Sequence, residues 1–534
     1  MHRFASIALP SALEVLLAAL VASVWLRWQP AEIGGTDDTE LRVVTTAGML
    51  RSLDPRRSRE LPSLENRLIE ALWDPLVRLD GPGLAAAPGV AIAWAMQPDG
   101  RTLRLHLDRE ARWSNGDPVT AEDFLRSLAP GGWPVRSHPL AELLETPADE
   151  AALDAAVRAL DAHTLEFTAA RPRPDLAVRL AIARWLPTHA SAATQFELED
   201  PLATAFVTNG PYFYAGCAQG ELILRRNPHH RSPAGRPETV RAFTTNSPAL
   251  YGTLIRSARA HLADQLSLSR DLVNAAGGDV VVEEEPTASI SLIQFNTSRP
   301  PLANPVVRRA LALALDRAEL ARGFAGAGAV PAYSFTPPGQ TGVQPIRTVT
   351  EDLAEARRLL TEAGHPDGAG LPVLRFPVVV GEGVVNPLAL LCAEQWRARL
   401  GVRVYVVPVA RKELLMRAER GDFDLIHMRW TAQAFDVSLL PGQLQGQLPA
   451  PFRAWPSQRV AAAVSRADAL TGEARRSALL EAERALVNEV PATPTVLYKR
   501  TTLRHRRVQG WQRDVFGLHP LRTLGLAPRE ETHR

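Results

Sequence analysis

The chain has 534 residues, 46% hydrophobic and 22% charged, which fits two to four packed domains and excludes a globally disordered chain. Lys and Arg number 60 against 58 Asp and Glu, a formal net charge of +2. Phosphate binding needs a concentrated basic face, so nucleic acid is excluded as the main partner, and the short tract at 504–507 reads as solvated surface.

Met1-His2-Arg3 is followed by residues 4–26, apolar apart from Ser6, Ser11, Glu14 and Ser23, and Arg27 ends the run. A basic start and an apolar run read as an export signal, either cleaved or retained as an anchor. Pro10 and Glu14 weaken its first half as a membrane span. Residues 30–40 are polar and contain glycine, as a linker does. The β-branched stretch 41–46 predicts a strand. Leu64, Leu68, Ile69 and Leu72 have helical spacing and predict a helix over 63–72. Leu103, Leu105 and Leu107 alternate with Arg104 and His106, so 102–107 predicts a strand. Thr120, with Asp123 three residues on, starts a helix. Further strands are expected at 221–224, 372–380, 402–407 and 423–428. Further helices are expected at 305–320, 351–363 (stopped by Gly364), 387–400 and 413–420. The alternation in this last part marks a sheet covered by helices. No repeat of 20–50 residues is present.

The sequence has no GxSxG, HExxH, P-loop or GxGxxG pattern. Cys217 and Cys392 make no metal motif; they read as two buried free thiols, with a single disulfide as the alternative. His229-His230 reads as surface histidine, and Glu283-Glu284-Glu285 as a solvated turn. No metal and no cofactor are expected.

Several blocks together resemble one family. Trp113-Ser114-Asn115-Gly116-Asp117-Pro118-Val119-Thr120-Ala121-Glu122-Asp123-Phe124 resembles the signature of extracytoplasmic solute-binding proteins of family 5, the oligopeptide-binding type. Ser52-Leu53-Asp54-Pro55, Leu68-Ile69-Glu70-Ala71-Leu72, Pro88-Gly89-Val90-Ala91 with Trp94, and Leu103-Arg104-Leu105-His106-Leu107-Asp108 are similar to its early blocks. Asn209-Gly210-Pro211-Tyr212 and Arg226-Asn227-Pro228 follow. Phe295-Asn296-Thr297, Pro300-Pro301, Val306-Val307-Arg308-Arg309-Ala310-Leu311 and Asp316-Arg317 come next, with Leu302 where the family has Phe. Pro331-Ala332-Tyr333, Pro337-Pro338 and Phe423-Asp424 with Trp430 complete the order. Asn115-Gly116-Asp117-Pro118 also reads independently as a tight turn, anchored in the core by Trp113. These motifs report scaffold rather than ligand contact.

The resemblance implies an α/β, two-lobed periplasmic-binding-protein fold of type II, of the large cluster C type, with an extra inserted domain. The implied divisions are 1–39 as signal or anchor and linker, 40–57 with 200–286 and 495–534 as a discontinuous first lobe, 58–199 as the insert, and 287–494 as the second lobe. It also implies a monomer that captures short peptides and hands them to the permease subunits of an ABC importer at the inner membrane. Main-chain contacts to a peptide are expected from Thr45-Thr46-Ala47 and Arg429-Trp430-Thr431. Oligopeptide-binding members place an Asp shortly after this Trp, for the peptide α-ammonium; here Gln433 stands there, with Asp436 three residues on. An amide cannot neutralise an ammonium, so either Asp436 supplies the charge or the ligand is blocked or not a peptide. Arg429 stands where many relatives have a small residue and suits an anionic ligand group. His427 faces either the cleft or the core. A membrane-tethered sensor of the same fold and a periplasmic hydrolase are the alternative functions.

Overall fold

The computed structural model describes residues 39–46, 53, 64–80, 85–128, 140, 143, 155–191, 207–218, 220–231, 236–245, 247, 250–266, 278–323, 328–335, 350–381, 384–385, 387–431, 457–470, 472–512 and 519–528. The export segment, Ser52, Asp54-Pro55 and Pro337-Pro338 lie outside the described residues. Within them, no helix is long and apolar enough to cross a membrane.

Nine strands form one mixed sheet: β1 Glu40–Thr46, β2 Tyr212–Ala218, β3 Glu221–Arg226, β4 Thr239–Thr245, β5 Leu262–Leu266, β6 Val280–Phe295, β7 Ala329–Pro331, β8 Leu425–Thr431 and β9 Ala492–His505. Their spatial order is β8-β6-β9-β5-β1-β4-β3-β2, with β7 beside β9. β1 runs parallel to both neighbours, β4 and β5. Its Leu41, Val43 and Val44 are fully buried, the apolar run expected of a central parallel strand.

β6 and β9, of 16 and 14 residues, tie the sheet together. At roughly 3.3 Å per residue each spans about 50 Å. Residues 280–286 of β6 pair with 499–505 of β9, where β5 also joins; residues 290–294 pair with 492–497, beside β7 and β8. The register shifts between Pro286 and Ile290. Proline has no N–H for the ladder, so it sits at such an irregularity. Thr287 compensates: its Oγ1 donates to the Tyr498 carbonyl (3.0 Å) and accepts from the Ser289 N–H (3.1 Å).

Glu283-Glu284-Glu285 is not a turn but part of β6. Glu283 pairs with Arg504 (2.7 Å), Glu284 with Lys499 (3.1 Å) and Glu285 with His519 (3.1 Å). Arg504 and Lys499 on β9 balance two of these carboxylates and the His519 ring bonds the third, which is why the acidic run can lie in a sheet.

The segment from α1 (Leu64–Leu72) onward adds a four-stranded antiparallel sheet, ordered Ala91–Met96, Thr102–Leu107, Thr164–Thr168, Val157–Asp161. α2 (Ala121–Arg126) and α3 (Leu176–Ala183) belong to the same segment. The inward leucines of Thr102–Leu107 join Trp113, Phe124, Phe167 and Trp185 in one core, which runs on without a break into Leu41, Tyr212 and Val240 of the main sheet.

The single helix expected over 305–320 is two: α4 (Pro305–Leu313) and α5 (Arg317–Gly323). Asp316 causes the break, because its Oδ1 accepts from the Glu319 N–H (2.8 Å) and caps a new helix. α6 (Leu353–Glu362), α7 (Pro387–Leu400), α8 (Arg411–Glu419), α9 (Gln458–Asp468) and α10 (Gly472–Glu489) follow. The strands expected at 372–380 and 402–407 are Leu374–Gly381 and Val404–Val409, paired in parallel. The strand expected at 423–428 is β8, two residues later at its start and reaching Thr431. Asp424 stays ahead of it because its carboxylate accepts from the Arg375 N–H (2.7 Å).

The motifs of the sequence are bonded to one another. Gly116 has φ +92°, its N–H donates to the Trp113 carbonyl, and Trp113 Nε1 donates to Asp123 (3.1 Å). Asn209 brackets Asp74 with two bonds, and Asn227 donates to the Gly210 carbonyl (3.0 Å). A Cβ on Gly210 would meet the Leu72 carbonyl carbon at 2.5 Å. Asn296 donates to the Phe423 carbonyl (2.8 Å). The buried Arg308 and Arg317 donate to the carbonyls of Val490 and Pro494, at 2.8 and 2.9 Å, and bolt α4 and α5 to the start of β9. Burial pushes both guanidiniums down to about 10, so both stay charged.

Candidate functional site: the polar face of β8, β6 and β9

β8 is the terminal strand of the sheet, and its side chains alternate between two faces. Met428 and Trp430 join Ile290, Leu292, Phe335, Val460 and Leu486 in an apolar cluster under α9 and α10, with Trp430 buried. His427 and Arg429 occupy the opposite face. Beside them on β6, Ser291 pairs with Arg429 and Ser289 with Thr431.

Those two serines are buried and small. The Arg429 side chain therefore crosses β6 and lays its guanidinium 4.5 Å from the centroid of the Tyr498 ring on β9. Its Nη2 lies 3.5 Å from Ser289 Oγ. His427 Nε2 and Ser291 Oγ share a hydrogen bond of 2.8 Å. Burial, and then the Arg429 cation, push His427 down to about 4, so its imidazole is neutral at pH 7. Burial raises Tyr498 above its usual range, with Arg429 and a bond to Ser291 opposing, so the phenol keeps its proton. Arg429 is exposed, and among the described residues no carboxylate pairs with it.

The other residues expected at a site are spread along the chain. Thr45 is buried near the C-terminal end of β1, with its register partner Thr244 on β4. Thr46 and Thr431 are placed by their backbones, as the last residues of β1 and β8. Ala47, Gln433 and Asp436 lie outside the described residues. His427, with Arg429, faces away from the cluster that holds Trp430. Sequence reasoning missed Ser289, Ser291 and Tyr498. The period-two run Thr287-Ala288-Ser289-Ile290-Ser291-Leu292 carried the signal, with small polar residues on one face.

One oxygen each of Glu283 and Glu285 and a ring nitrogen of His519 lie within 4.8 Å of one another. Arg504 and Trp511 Nε1 already bond Glu283, and Arg67 and Arg504 both approach the Trp511 ring at 5.7 Å. Two cations at the edge oppose a metal ion, so the trio is a charge-balanced protein network. His229-His230 follows β3 in a turn, where His230 Nε2 bonds Asp74 (2.9 Å). Cys217 and Cys392 are free thiols on β2 and α7; burial pushes Cys392 well above the usual thiol range, so it is inert.

Residues 85–447 match the model of the bacterial extracellular solute-binding proteins, family 5. The chain belongs to this family. It is 26% identical to the periplasmic oligopeptide-binding protein OppA of Escherichia coli over 495 residues, covering 88% of this chain and 89% of OppA. It is also 26% identical to the probable deoxycholate-binding periplasmic protein YgiS of the same organism, over 84% of this chain and 86% of YgiS. Among solved structures it superposes on HbpA2 of Haemophilus parasuis with a TM-score of 0.76, at 18% identity over 92% of this chain and all of that one. The fold is the two-lobed α/β fold of periplasmic binding proteins, expected from the sequence.

Proposed function

We propose that this family 5 protein captures short peptides between two lobes, outside the cytoplasm, and delivers them as a monomer to the permease of an ABC importer. One observation carries the reading: β8 is the terminal strand of the sheet, at the end of the bridging pair β6 and β9. A terminal strand offers backbone groups to an added strand, so a peptide bound there is read through its main chain and not its sequence. In this reading Arg429-Trp430-Thr431 line one side, and the contribution of Trp430 is its backbone. Thr45-Thr46-Ala47 line the other. That placement agrees with the tendency of ligands to sit beyond the carboxyl ends of parallel strands, here β1 between β4 and β5.

The lobes are 40–57 with 200–286 and 495–534, and 287–494, with 58–199 inserted in the first. The register shift at Pro286/Ile290 is then the hinge, and closure follows when the ligand touches both sides. The protein binds and releases; it does no chemistry on its ligand. Residues 1–39 direct its export. A second reading is a non-peptide or N-terminally blocked ligand, favoured by Gln433 in place of an ammonium-binding Asp and by the deoxycholate named for YgiS.

Native mass spectrometry of the purified protein, followed by denaturing release, separates the two. A mixture of short peptides with free N-termini is the expected result. A single compound that is not a peptide overturns the first reading in favour of the second.

A further inference from the structure

We propose that Arg429, laid over Ser289 and Ser291 onto the ring of Tyr498, is an anion subsite that takes a carboxylate of the bound peptide. This rests on the peptide-binding reading and names a class within it: peptides bearing an acidic side chain, or an acidic blocking group, on the part that runs along β8.

The stack on Tyr498 uses the flat face of the guanidinium. The in-plane N–H donors at its edges remain available, and their fork matches the two oxygens of a carboxylate. Among the described residues, the contact made by these donors is that of Nη2, at 3.5 Å from Ser289 Oγ, the long end of a hydrogen bond. Other arginines of this chain differ. Arg504 pairs with Glu283, Arg522 with Asp74 and Arg358 with Glu355, each below 3 Å. Among the described residues Arg429 has no carboxylate partner, so its charge is not spent on any of them.

The group is also held in place. The aromatic ring on β9 and the serine on β6 fix a long side chain before a ligand arrives, which lowers the entropy cost of using it. The serines beneath it are small and buried, so the face above the guanidinium stays low. The neighbouring His427 is neutral and bonded to Ser291, so it adds no positive charge beside Arg429. A peptide ammonium placed here meets a like charge; a carboxylate meets a preformed partner. Arg429 and Gln433 therefore act in the same direction, away from an ammonium and toward an anion.

Isothermal titration of the purified full chain at constant ionic strength tests this with two matched pairs: Ala-Glu-Ala against Ala-Gln-Ala, and N-succinyl-Ala-Ala-Ala against N-acetyl-Ala-Ala-Ala. In at least one pair the acid binds roughly tenfold or more tighter than its neutral partner, as a charge-assisted bidentate bond predicts. The pair that shows the gap identifies the source of the carboxylate. Arg429→Gln closes the gap, whatever it does to the affinity for the neutral peptides, and Arg429→Lys keeps part of it. Equal affinities within both pairs, or a gap that survives in Arg429→Gln, overturns the subsite. If none of the four peptides binds, the peptide reading falls, and glutarate against glutaramide then decides the subsite alone. A rise in melting temperature with glutarate only, lost in Arg429→Gln, upholds it, and the absence of that rise overturns it.

Discussion

The segment between α1 and α3 touches the rest of the molecule in two unlike ways. Against β1, β2 and β4 it shares one apolar core, in which Leu72, Val77 and Trp113 are continuous with Leu41, Tyr212 and Val240. Against α9 and α10 it offers mainly charge. Arg173 and Arg179 both reach Asp468, at 3.0 and 2.8 Å; Asp175 pairs with Arg179 at 3.0 Å and approaches Arg475 at 4.0 Å. Among the described residues, the apolar part of this second contact is Leu79 against the Trp430 cluster. An apolar core comes apart only at the full cost of exposing it. Ion pairs at a boundary exchange for water at small net cost. The first contact thus costs more to open than the second.

Asp74 tests the rigid contact, with the largest expected effect. It is buried between Arg78 (2.5 Å), Arg522 (2.9 Å) and His230 (2.9 Å), and so joins α1 to the C-terminal segment and to the turn after β3. Burial alone would raise its pKa, but the cations Arg78 and Arg522, with the His230 bond, hold the carboxyl far below the usual range. Asp74→Ala leaves buried cations without their partner, and the loss is about 3–5 kcal/mol, read by urea denaturation. The folded pKa lies below the unfolded one, so this stabilisation is complete above the unfolded value of about 3.9 and fades as pH falls below it. Asp74→Asn therefore shows a shallower acid limb than the wild type. A loss below about 1 kcal/mol would mean that the apolar core holds the segment without this bridge.

Asp468 tests the ionic contact and has a smaller effect. Asp468→Asn removes the shared partner of Arg173 and Arg179, both buried, and costs about 1–3 kcal/mol of global stability. Hydrogen exchange is expected to quicken in α9 and around residue 173, and to stay unchanged in the core around Trp113. Raising the salt concentration should loosen this contact far less than the substitution does, because buried and partly buried pairs are little screened. Equal loosening at both contacts would sink the distinction between them.

How much of this was legible in the sequence follows the same division. Period-two leucines at 103–107 and helical spacing at 387–400 gave elements with correct bounds, because local pattern and burial agree there. The motif Asn209-Gly210 could be read as scaffold; its reason, a backbone approach to Leu72 with no room for a Cβ, is non-local. The acidic run at 283–285 was misread for a similar cause. Its partners Lys499, Arg504 and His519 lie more than 200 residues later, on β9 and the C-terminal segment, and no window of sequence contains both. Asp316 was misread for the opposite cause, since a local cap overrode an apolar stripe that continued past it. Arg429 and His427 were legible as candidates from the resemblance. Tyr498 was not, because it meets Arg429 across a strand that only the fold inserts between them.

The smallest expected effect concerns the face at the junction, which belongs to neither contact. His427 is held down to about 4 by burial and by Arg429, below the ordinary histidine value of about 6.5. The unfolded chain therefore binds a proton that the folded one refuses between those two pH values. Stability from this group is complete above about 6.5 and is lost as pH falls toward 4. His427→Gln keeps a polar partner for Ser291 and removes the titration. Acidification from pH 7 to 5 should then destabilise the wild type more than the variant, while the two coincide in their pH dependence from 7 to 8. A variant with an unchanged acid slope would mean that the imidazole is protonated in the folded protein. His427 would then add a cation beside Arg429, and the anion subsite would need both in its account.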